Sequence, residues 1–323
     1  MADSPDTASQ HRVGEDTRAG MRGRLLGPGQ RTCVWIASAD SDTPSLVHET
    51  DEILLEAPNW SADAGSLLLN GDGRLWRLDL GSHPARPVEV PLDGVPPINN
   101  DHVLSPDGTH VYLSGMDGHL YRAPLGSGTG MGAGTSTGTR LTADDGMLHY
   151  LHGISPDGGT LACVVIPRDS NGVPGRLALM PAEGGPIRVV DTGEGHIDGP
   201  EYSPDGGWIL LNTEAFTTTP GHAQIARLPA GTGPLERLVA SGTVDWFPHT
   251  APDGRLATYV AFPPGTLGHP ENLDVAVHLV ATDAWETPLR TFPLFGGQGT
   301  LNVNSWAPDS RRFAFVSYPV SEH

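Results

Sequence analysis

The chain has 323 residues, with 38 acidic and 19 basic side chains and a formal net charge of −19. This excess of negative charge repels phosphate backbones and anionic membrane surfaces, so we expect no nucleic acid and no membrane as a partner. The 42 glycines and 30 prolines indicate many short elements joined by tight turns. Cys33 and Cys163 are too few for a disulfide framework or a cysteine-based zinc site.

The first 30 residues contain no apolar run long enough for the core of a signal peptide. No later segment approaches the ~20 apolar residues of a membrane span. We therefore expect residues 1–30 to be a disordered tail, residues 31–323 to form a single domain, and the protein to be a cytoplasmic monomer.

Residues 31–51, RTCVWIASADSDTPSLVHETD, predict two strands with no turn motif before them. A degraded motif, WSADAG, follows at Trp60. Full copies of one motif then recur along the chain: LSPDG at Leu104, ISPDG at Ile154, YSPDG at Tyr202, TAPDG at Thr250 and WAPDS at Trp306. Proline presets the backbone of a turn, aspartate accepts hydrogen bonds from the backbone ahead of it, and glycine adopts positive φ.

The spacing of this motif, roughly 40 to 50 residues, is typical of β-propeller blades with four antiparallel strands each. The last copy stops after two strands, and the two strands of residues 31–51 lack their own turn. Joining the two ends gives six blades and a closed ring, which removes exposed strand edges. The sequence therefore predicts an all-β, six-bladed β-propeller.

The first strand of each blade lines the central channel, so residues just before each turn should lie near the axis. Four of these positions carry a ligand-type side chain: His102, His152, Glu201 and His249. His102 and His152 lie four residues before their prolines, whereas Glu201 and His249 lie three before theirs. In a regular strand this difference turns side chains to opposite faces, so convergence requires irregular strands.

Histidines and a carboxylate around an axis favour acid–base chemistry. We interpret four residues as candidate catalytic groups: Glu201, His249, His152 and His196. Other polar or aromatic residues near the same strand ends are candidate ligand-binding residues: Asn100, Asp101, His102, His149, Asp198, Asp245, Trp246, His269 and Asn302.

Five segments give the chain a family resemblance: NDHVLSPDG at Asn100, HGISPDG at His152, DGPEYSPDG at Asp198, DWFPHTAPDG at Asp245 and GGQGTLNVNSWAPDS at Gly296. With them, residues 30–320 resemble the TolB-like six-bladed β-propellers. The chain is more loosely similar to the oligogalacturonate lyase propellers, which hold a divalent metal with three histidines and a glutamine. That resemblance implies a site for Mn, Ca, Mg or Zn with these ligands: His102, His152, His249 and Gln298.

Two functions remain open at this point. One is an enzyme of lyase, hydrolase or isomerase type that acts on a sugar or sugar acid in the channel, with or without a metal. The other is a non-catalytic TolB-like propeller that binds a peptide, a protein or a carbohydrate, because the fold alone does not decide between them. Trp246, Trp306 and Trp60 near the strand ends are candidate stacking faces for sugar rings.

Overall fold

The computed structural model describes residues 23–126, 136–169 and 172–321. Within these ranges the chain forms strands and no helix. The first twelve strands are β1 (Thr32–Ser38), β2 (Ser45–Thr50), β3 (Glu56–Trp60), β4 (Ser66–Gly71), β5 (Arg74–Asp79), β6 (Pro87–Val90), β7 (Leu92–Asp93), β8 (Ile98–Leu104), β9 (His110–Gly115), β10 (Leu120–Pro124), β11 (Ser136–Thr137) and β12 (Thr139–Arg140). The remaining strands are β13 (Met147–Ile154), β14 (Thr160–Pro167), β15 (Arg176–Pro181), β16 (Arg188–Val189), β17 (Ile197–Tyr202), β18 (Trp208–Thr213), β19 (Gln224–Pro229), β20 (Glu236–Arg237), β21 (Val244–Thr250), β22 (Leu256–Phe262), β23 (Glu271–Ala281), β24 (Arg290–Gly297) and β25 (Arg312–Ser317).

These strands form the six blades of a β-propeller, as the repeat predicts. Five blades are four-stranded antiparallel sheets in chain order: blade 1 (β3 to β6), blade 2 (β8, β9, β10 and β12), blade 3 (β13 to β16), blade 4 (β17 to β20) and blade 5 (β21 to β24). Strands β7 and β11 make a small parallel pair beside blade 2. Most of the core lies in apolar layers between neighbouring blades, so each blade is buried by the next one.

The sixth blade is built from both ends of the chain and closes the ring. Strand β1 lies between β2 and β25, and it pairs with β25 from Cys33–Ser317 to Ser38–Arg312. A bridge between Trp306 and Phe313 adds the innermost segment. The prediction that residues 31–51 complete the blade begun at Trp306 is confirmed.

The N-terminal boundary of the folded part lies earlier than the expected residue 30. The Gln30 side chain donates hydrogen bonds to the side chain of Asn272 at 2.6 Å and to the Tyr318 carbonyl at 3.2 Å. Arg24 forms an ion pair with Glu56 at 2.6 Å. Sequence patterns missed this segment because it carries no turn motif and no strand periodicity. A bridge between Gln30 and Val320, polar side-chain contacts and the packing of Leu26 on the core hold it. Residues 1–22 of the expected tail lie outside the described residues.

Each SPDG turn is a self-contained hydrogen-bonded unit. In the turn of blade 2 the Ser105 hydroxyl donates to Asp107 at 2.6 Å, and the same carboxylate accepts from the Thr109 backbone at 3.0 Å. These bonds lower the pKa of Asp107 to about 2. Gly108 adopts a φ of 68° in the turn, where a side chain is strained. The repeated aspartates therefore serve the turns.

At the other end of each innermost strand the pairing is broken by a bulge. In β3, β17 and β21 the register shifts between Glu56 and Asn59, between Asp198 and Glu201, and between Trp246 and His249. The residue before the bulge proline has positive φ in all three strands: Ala57 (50°), Gly199 (58°) and Phe247 (57°). A bulge redirects side chains at the end of a strand. We call the end of the ring where the innermost strands begin the entry face.

No helix in the described ranges is long and apolar enough to cross a membrane.

The closing blade should open before the rest of the ring, because the N-terminal strands meet the C-terminal segment mainly through the β1–β25 pairing and the adjoining bridge between Gln30 and Val320. Cys33 lies in β1 and Cys163 in blade 3, and both thiols are free and buried. We expect Phe315→Ala, which removes a buried side chain at the β1–β25 seam, to cost about 3 kcal/mol. Thiol labelling of Cys33 in the native protein should then accelerate by roughly 100-fold, with little change at Cys163.

Leu228→Ala in blade 4 is the matched control, because Leu228 is equally buried but far from the seam in the chain. It should leave Cys33 labelling nearly unchanged. Equal acceleration of both cysteines by Phe315→Ala would show that the ring opens as one unit.

Candidate active site at the entry face

Asp198 is the centre of the polar cluster at the entry face. It stands directly before the bulge of β17, and its Oδ1 accepts hydrogen bonds from His152 Nε2 and from the Gly199 backbone, both at 2.8 Å. Its Oδ2 lies 3.5 Å from His269 Nε2 and 3.8 Å from His196 Nε2. We call Asp101, His152, His196, Asp198, His269 and Gln298 the Asp198 cluster.

His152 carries the fixed positive charge of this cluster. It is the inserted residue of the bulge in β13, where the register shifts between Leu151 and Gly153. Burial lowers its pKa, but Asp101 and Asp198 outweigh burial and raise it to about 9. Burial would raise the pKa of Asp198, but His152 and the two other histidines hold it well below its usual value. The two groups therefore form a buried imidazolium–carboxylate pair at neutral pH.

His196 and His269 are the exposed members of the cluster, with 25% and 27% of their side chains accessible. His196 Nδ1 accepts a hydrogen bond from the Gly175 backbone at 2.8 Å, so the proton of its neutral ring is on Nε2. His269 Nδ1 contacts the Gln298 Oε1 atom, so Nδ1 carries the proton and Nε2 is the unprotonated atom of the neutral ring. One Asp198 oxygen thus faces the Nε2 atoms of two histidines whose other ring nitrogens are fixed by hydrogen bonds.

Gln298 is positioned by the loop after β24. Asn302 donates a hydrogen bond to Gln298 Oε1 at 3.3 Å and accepts one from the Gly299 backbone at 2.8 Å. Asp101 lies on the other side of His152, with Oδ1 4.0 Å from Nδ1. Burial raises the pKa of Asp101, and His152 opposes that shift.

The predicted catalytic pair Glu201 and His249 is buried beside the Asp198 cluster, and the polar atoms of both side chains are hydrogen-bonded within the protein. Glu201 Oε2 lies 2.5 Å from His249 Nδ1, and Oε1 accepts hydrogen bonds from Asn304 at 2.8 Å and from the Thr250 backbone at 3.1 Å. His249 Nε2 donates to the Leu301 carbonyl at 3.1 Å. We call these residues the Glu201 clamp. It joins blades 4, 5 and 6, which gives it a structural role, and the catalytic role predicted for both residues stays a prediction.

The four side chains predicted to bind a metal do not form one ligand set. His152 is bonded to Asp198, and both ring nitrogens of His249 are used inside the Glu201 clamp. Burial lowers the pKa of His102 to about 4, and the Leu68 backbone in blade 1 opposes that shift. The described residues contain no group of three or more His, Cys, Asp or Glu side chains arranged to hold a metal ion. The donors present do not fit the predicted metal site.

Several other predicted residues lie elsewhere. His149 is buried between Gly118 and Asp145, and Asp245 accepts hydrogen bonds from Ser241 and Thr243 inside its own strand entry. Trp246 is buried against His269, with ring centroids 4.5 Å apart, so it offers no open stacking face. Asn100 is buried in β8 next to Asp101.

The other two tryptophans are also packed. Trp306 is buried against Phe313, and Trp60 is covered by the Arg312 guanidinium. Two surface grooves, one beside Trp208 and Trp285 and one beside Pro97, share no lining residue with the Asp198 cluster. At the entry face, the described side chains would therefore recognise a ligand through hydrogen bonds rather than through an open aromatic face.

Three residues of the entry face escaped the sequence analysis: Glu56, Asn304 and Arg24. Glu56 had a signal, because EAPNW in blade 1 matches DGPEY in blade 4 and places Glu56 at the position of Asp198. Asn304 lies in the segment that resembles known propellers, but its bonds to Glu201 and to the Thr250 carbonyl depend on ring closure. Arg24 had no signal, since it lies in a segment without periodicity.

Comparison with known proteins agrees with this architecture. The chain is 36% identical over 299 residues to an uncharacterized protein of Agrobacterium fabrum, which covers 90% of this chain and 94% of that protein. The solved structure of a putative TolB from Agrobacterium tumefaciens is 34% identical, with a TM-score of 0.79, over 90% of this chain and 99% of that one. No family model matches the chain.

A more distant structure shows the fold alone. An oligogalacturonate lyase solved in complex with manganese is 15% identical, with a TM-score of 0.52, over 84% of this chain and 75% of that one.

The charge on His152 predicts a pH dependence of stability. Its pKa is raised in the native state from 6.5 to about 9, so the stabilisation is complete below pH 6.5 and is lost as the pH rises through 9. Over that window the unfolding free energy should fall by about 3 kcal/mol more in the unaltered protein than in His152→Gln. Urea unfolding from pH 6 to 9.5 measures this difference.

His278→Gln is the control, because burial lowers the pKa of His278 and its ring stays neutral across that window. It should keep the pH slope of the unaltered protein. The same slope in His152→Gln would show that His152 is not charged in the native state.

The Glu201 clamp predicts a loss of stability on truncation. Glu201→Ala should lower the unfolding free energy by about 3 kcal/mol or more, because it leaves His249 and Asn304 buried without their partner. Glu201→Gln should cost less, since its amide oxygen still accepts hydrogen bonds and its nitrogen donates to His249. The control is Glu236→Ala, which removes an exposed ion pair with Arg227 and should cost less than about 1 kcal/mol. Equal melting temperatures for Glu201→Ala and Glu236→Ala would contradict the structural role.

Proposed function

The chain belongs to the family of TolB-like six-bladed β-propellers. We propose that it is an enzyme that performs general acid–base chemistry on a small polar ligand at the entry face. The observation that supports this most is the pair of part-exposed histidines around one buried carboxylate oxygen. His196 and His269 both direct Nε2 towards Asp198 Oδ2, and each has its other nitrogen held by a hydrogen bond. Fixed tautomers of this kind are what proton transfer requires.

Each histidine has a separate role in the proposal. His269 is the base, because Gln298 holds its Nδ1 proton and leaves Nε2 to take a proton from the ligand. His196 is the acid, because its Nε2 carries the proton that the ligand receives. Asp198 stabilises the His269 imidazolium that forms, and it stays ionised because the buried His152 cation faces it.

The ligand class follows from the groups that line the cluster. Imidazole, amide and carboxylate side chains offer both donors and acceptors, which suits a polyhydroxylated ligand such as a sugar or a sugar acid. The oligogalacturonate lyase that shares the fold makes sugar acids the first class to test. The reaction would be of the lyase, hydrolase or isomerase type. The proposed chemistry uses no metal, because the donors present do not fit one.

The test has two stages. Neutral sugars, monomeric uronates and oligogalacturonates are first screened for binding by calorimetry and for conversion by mass spectrometry. For a converted compound, His269→Gln and His196→Gln should each lower kcat by roughly 100-fold or more with an unchanged melting temperature. The rise of the rate with pH on the acidic side of the pH–rate profile, which reports deprotonation of the base, should disappear in His269→Gln. His278→Gln, on the outer part of blade 5, is the control and should keep full activity.

Two results would decide against the proposal. Conversion that persists at the original rate in both histidine variants would place the chemistry elsewhere. A compound that binds to the unaltered protein, loses affinity in Asp198→Asn and is never converted would instead support a non-catalytic binding role.

A further inference from the structure

Arg24 is held by three blades at the entry face. Its Nη1 donates hydrogen bonds to Glu56 Oε1 in blade 1 and to the Gln298 carbonyl after blade 5, both at 2.6 Å. Its Nε forms an ion pair with Glu271 in blade 5. The guanidinium carbon lies 5.4 Å from the centroid of the Tyr318 ring. Four groups from separate parts of the chain thus converge on one guanidinium.

The receiving groups form a prepared pocket. Glu56 is 5% exposed and is held independently of Arg24, since Asn70 donates a hydrogen bond to its second oxygen at 3.0 Å. The Tyr318 hydroxyl is fixed on the Leu55 carbonyl at 3.0 Å. A Cβ on Gly299 would lie 2.4 Å from Glu56 Oε1 and 2.6 Å from the Tyr318 hydroxyl, so only glycine fits there. Two carboxylates, a carbonyl and an aromatic face are the partners that a guanidinium prefers.

This pocket adjoins the Asp198 cluster through one residue. The backbone carbonyl of Gln298 accepts the hydrogen bond from Arg24, while its side chain contacts the proposed base His269. A group that enters the pocket therefore lies one residue from the candidate active site.

We propose that Glu56, Glu271, the Gln298 carbonyl and the Tyr318 ring form a binding subsite for a guanidinium group, which the chain's own Arg24 occupies in the free protein. A ligand that carries a guanidinium competes with Arg24 for this subsite. Arg24 precedes both β1 and the bridge between Gln30 and Val320, so its side chain can leave the subsite without breaking the strand pairing of a blade.

The test removes the Arg24 guanidinium by mutation and supplies a free guanidinium compound in its place. Ethylguanidinium chloride is titrated calorimetrically into the unaltered chain and into Arg24→Ala, with ethylammonium chloride as the matched probe. Arg24→Ala should bind ethylguanidinium roughly tenfold more tightly than the unaltered chain does, because charge-assisted hydrogen bonds to Glu56 and Glu271 become available. Ethylammonium should bind about fivefold more weakly than ethylguanidinium, since it lacks the planar fork.

Two further variants locate the binding. Glu271→Gln, at a half-exposed position, should weaken ethylguanidinium binding to Arg24→Ala by roughly fivefold. Arg31→Ala removes an exposed ion pair with Glu49 and should behave as the unaltered chain does. If Arg24→Ala does not fold, Arg24→Lys replaces it, because the lysine retains the positive charge. The Arg24→Lys variant should bind ethylguanidinium more tightly than the unaltered chain does, since lysine fills the subsite less well than arginine.

The proposal fails if ethylguanidinium binds the Arg24 variants and the unaltered chain equally, or binds none of them. It also fails if Glu271→Gln has no effect. These readouts measure binding alone, so a failure of the acid–base proposal at His269 would not change them.

Discussion

Closure of the ring by the β1–β25 pairing is the constraint on which the entry face depends. The Asp198 cluster takes its side chains from blades 2, 3, 4 and 5 and from the loop that leads into the closing blade. The Glu201 clamp joins blades 4 and 5 to Asn304 in the segment before Trp306. No single blade holds either group, so the geometry exists only while six blades are forced into one circle. Pairing of the two chain ends closes the ring, and backbone hydrogen bonds and buried apolar surface stabilise that closure.

Strain at the strand ends is what turns polar side chains towards the axis. Ala57 and Phe247 adopt a positive φ that costs energy in residues with a side chain, and Gly199 takes the same conformation. The bulges that result interrupt the pairing of β3, β17 and β21, and they place Glu56, Asp198 and Trp246 at the same position of their blades. Blade packing behind these residues holds the strained backbone, so the strain is tolerated where the polar groups are displayed.

Three buried carboxylates at the entry face each have a matched nitrogen group. Asp198 faces the His152 cation, Glu201 faces His249, and Glu56 faces Arg24. An unpaired charge at these depths would cost several kcal/mol, so the pairs are needed merely to keep the ions buried. Their consequence for chemistry is order: hydrogen bonds and ion pairs fix the carboxylates, while the more exposed His196 and His269 remain the groups that a ligand reaches.

The sequence by itself determined the repeat, the six blades and the joining of residues 31–51 to the strand after Trp306, because turn chemistry and strand alternation are local. It also identified the six members of the Asp198 cluster as candidates, since all of them stand near strand ends that must meet on one face. Tertiary structure alone decided which of them face one another. A bulge changes the direction of a side chain. His152 therefore contacts Asp198, whereas His102 points towards blade 1. Glu201 and His249 were placed in a clamp by contacts more than 40 residues apart in the chain, and Arg24 by contacts with blades that no local pattern connects to it.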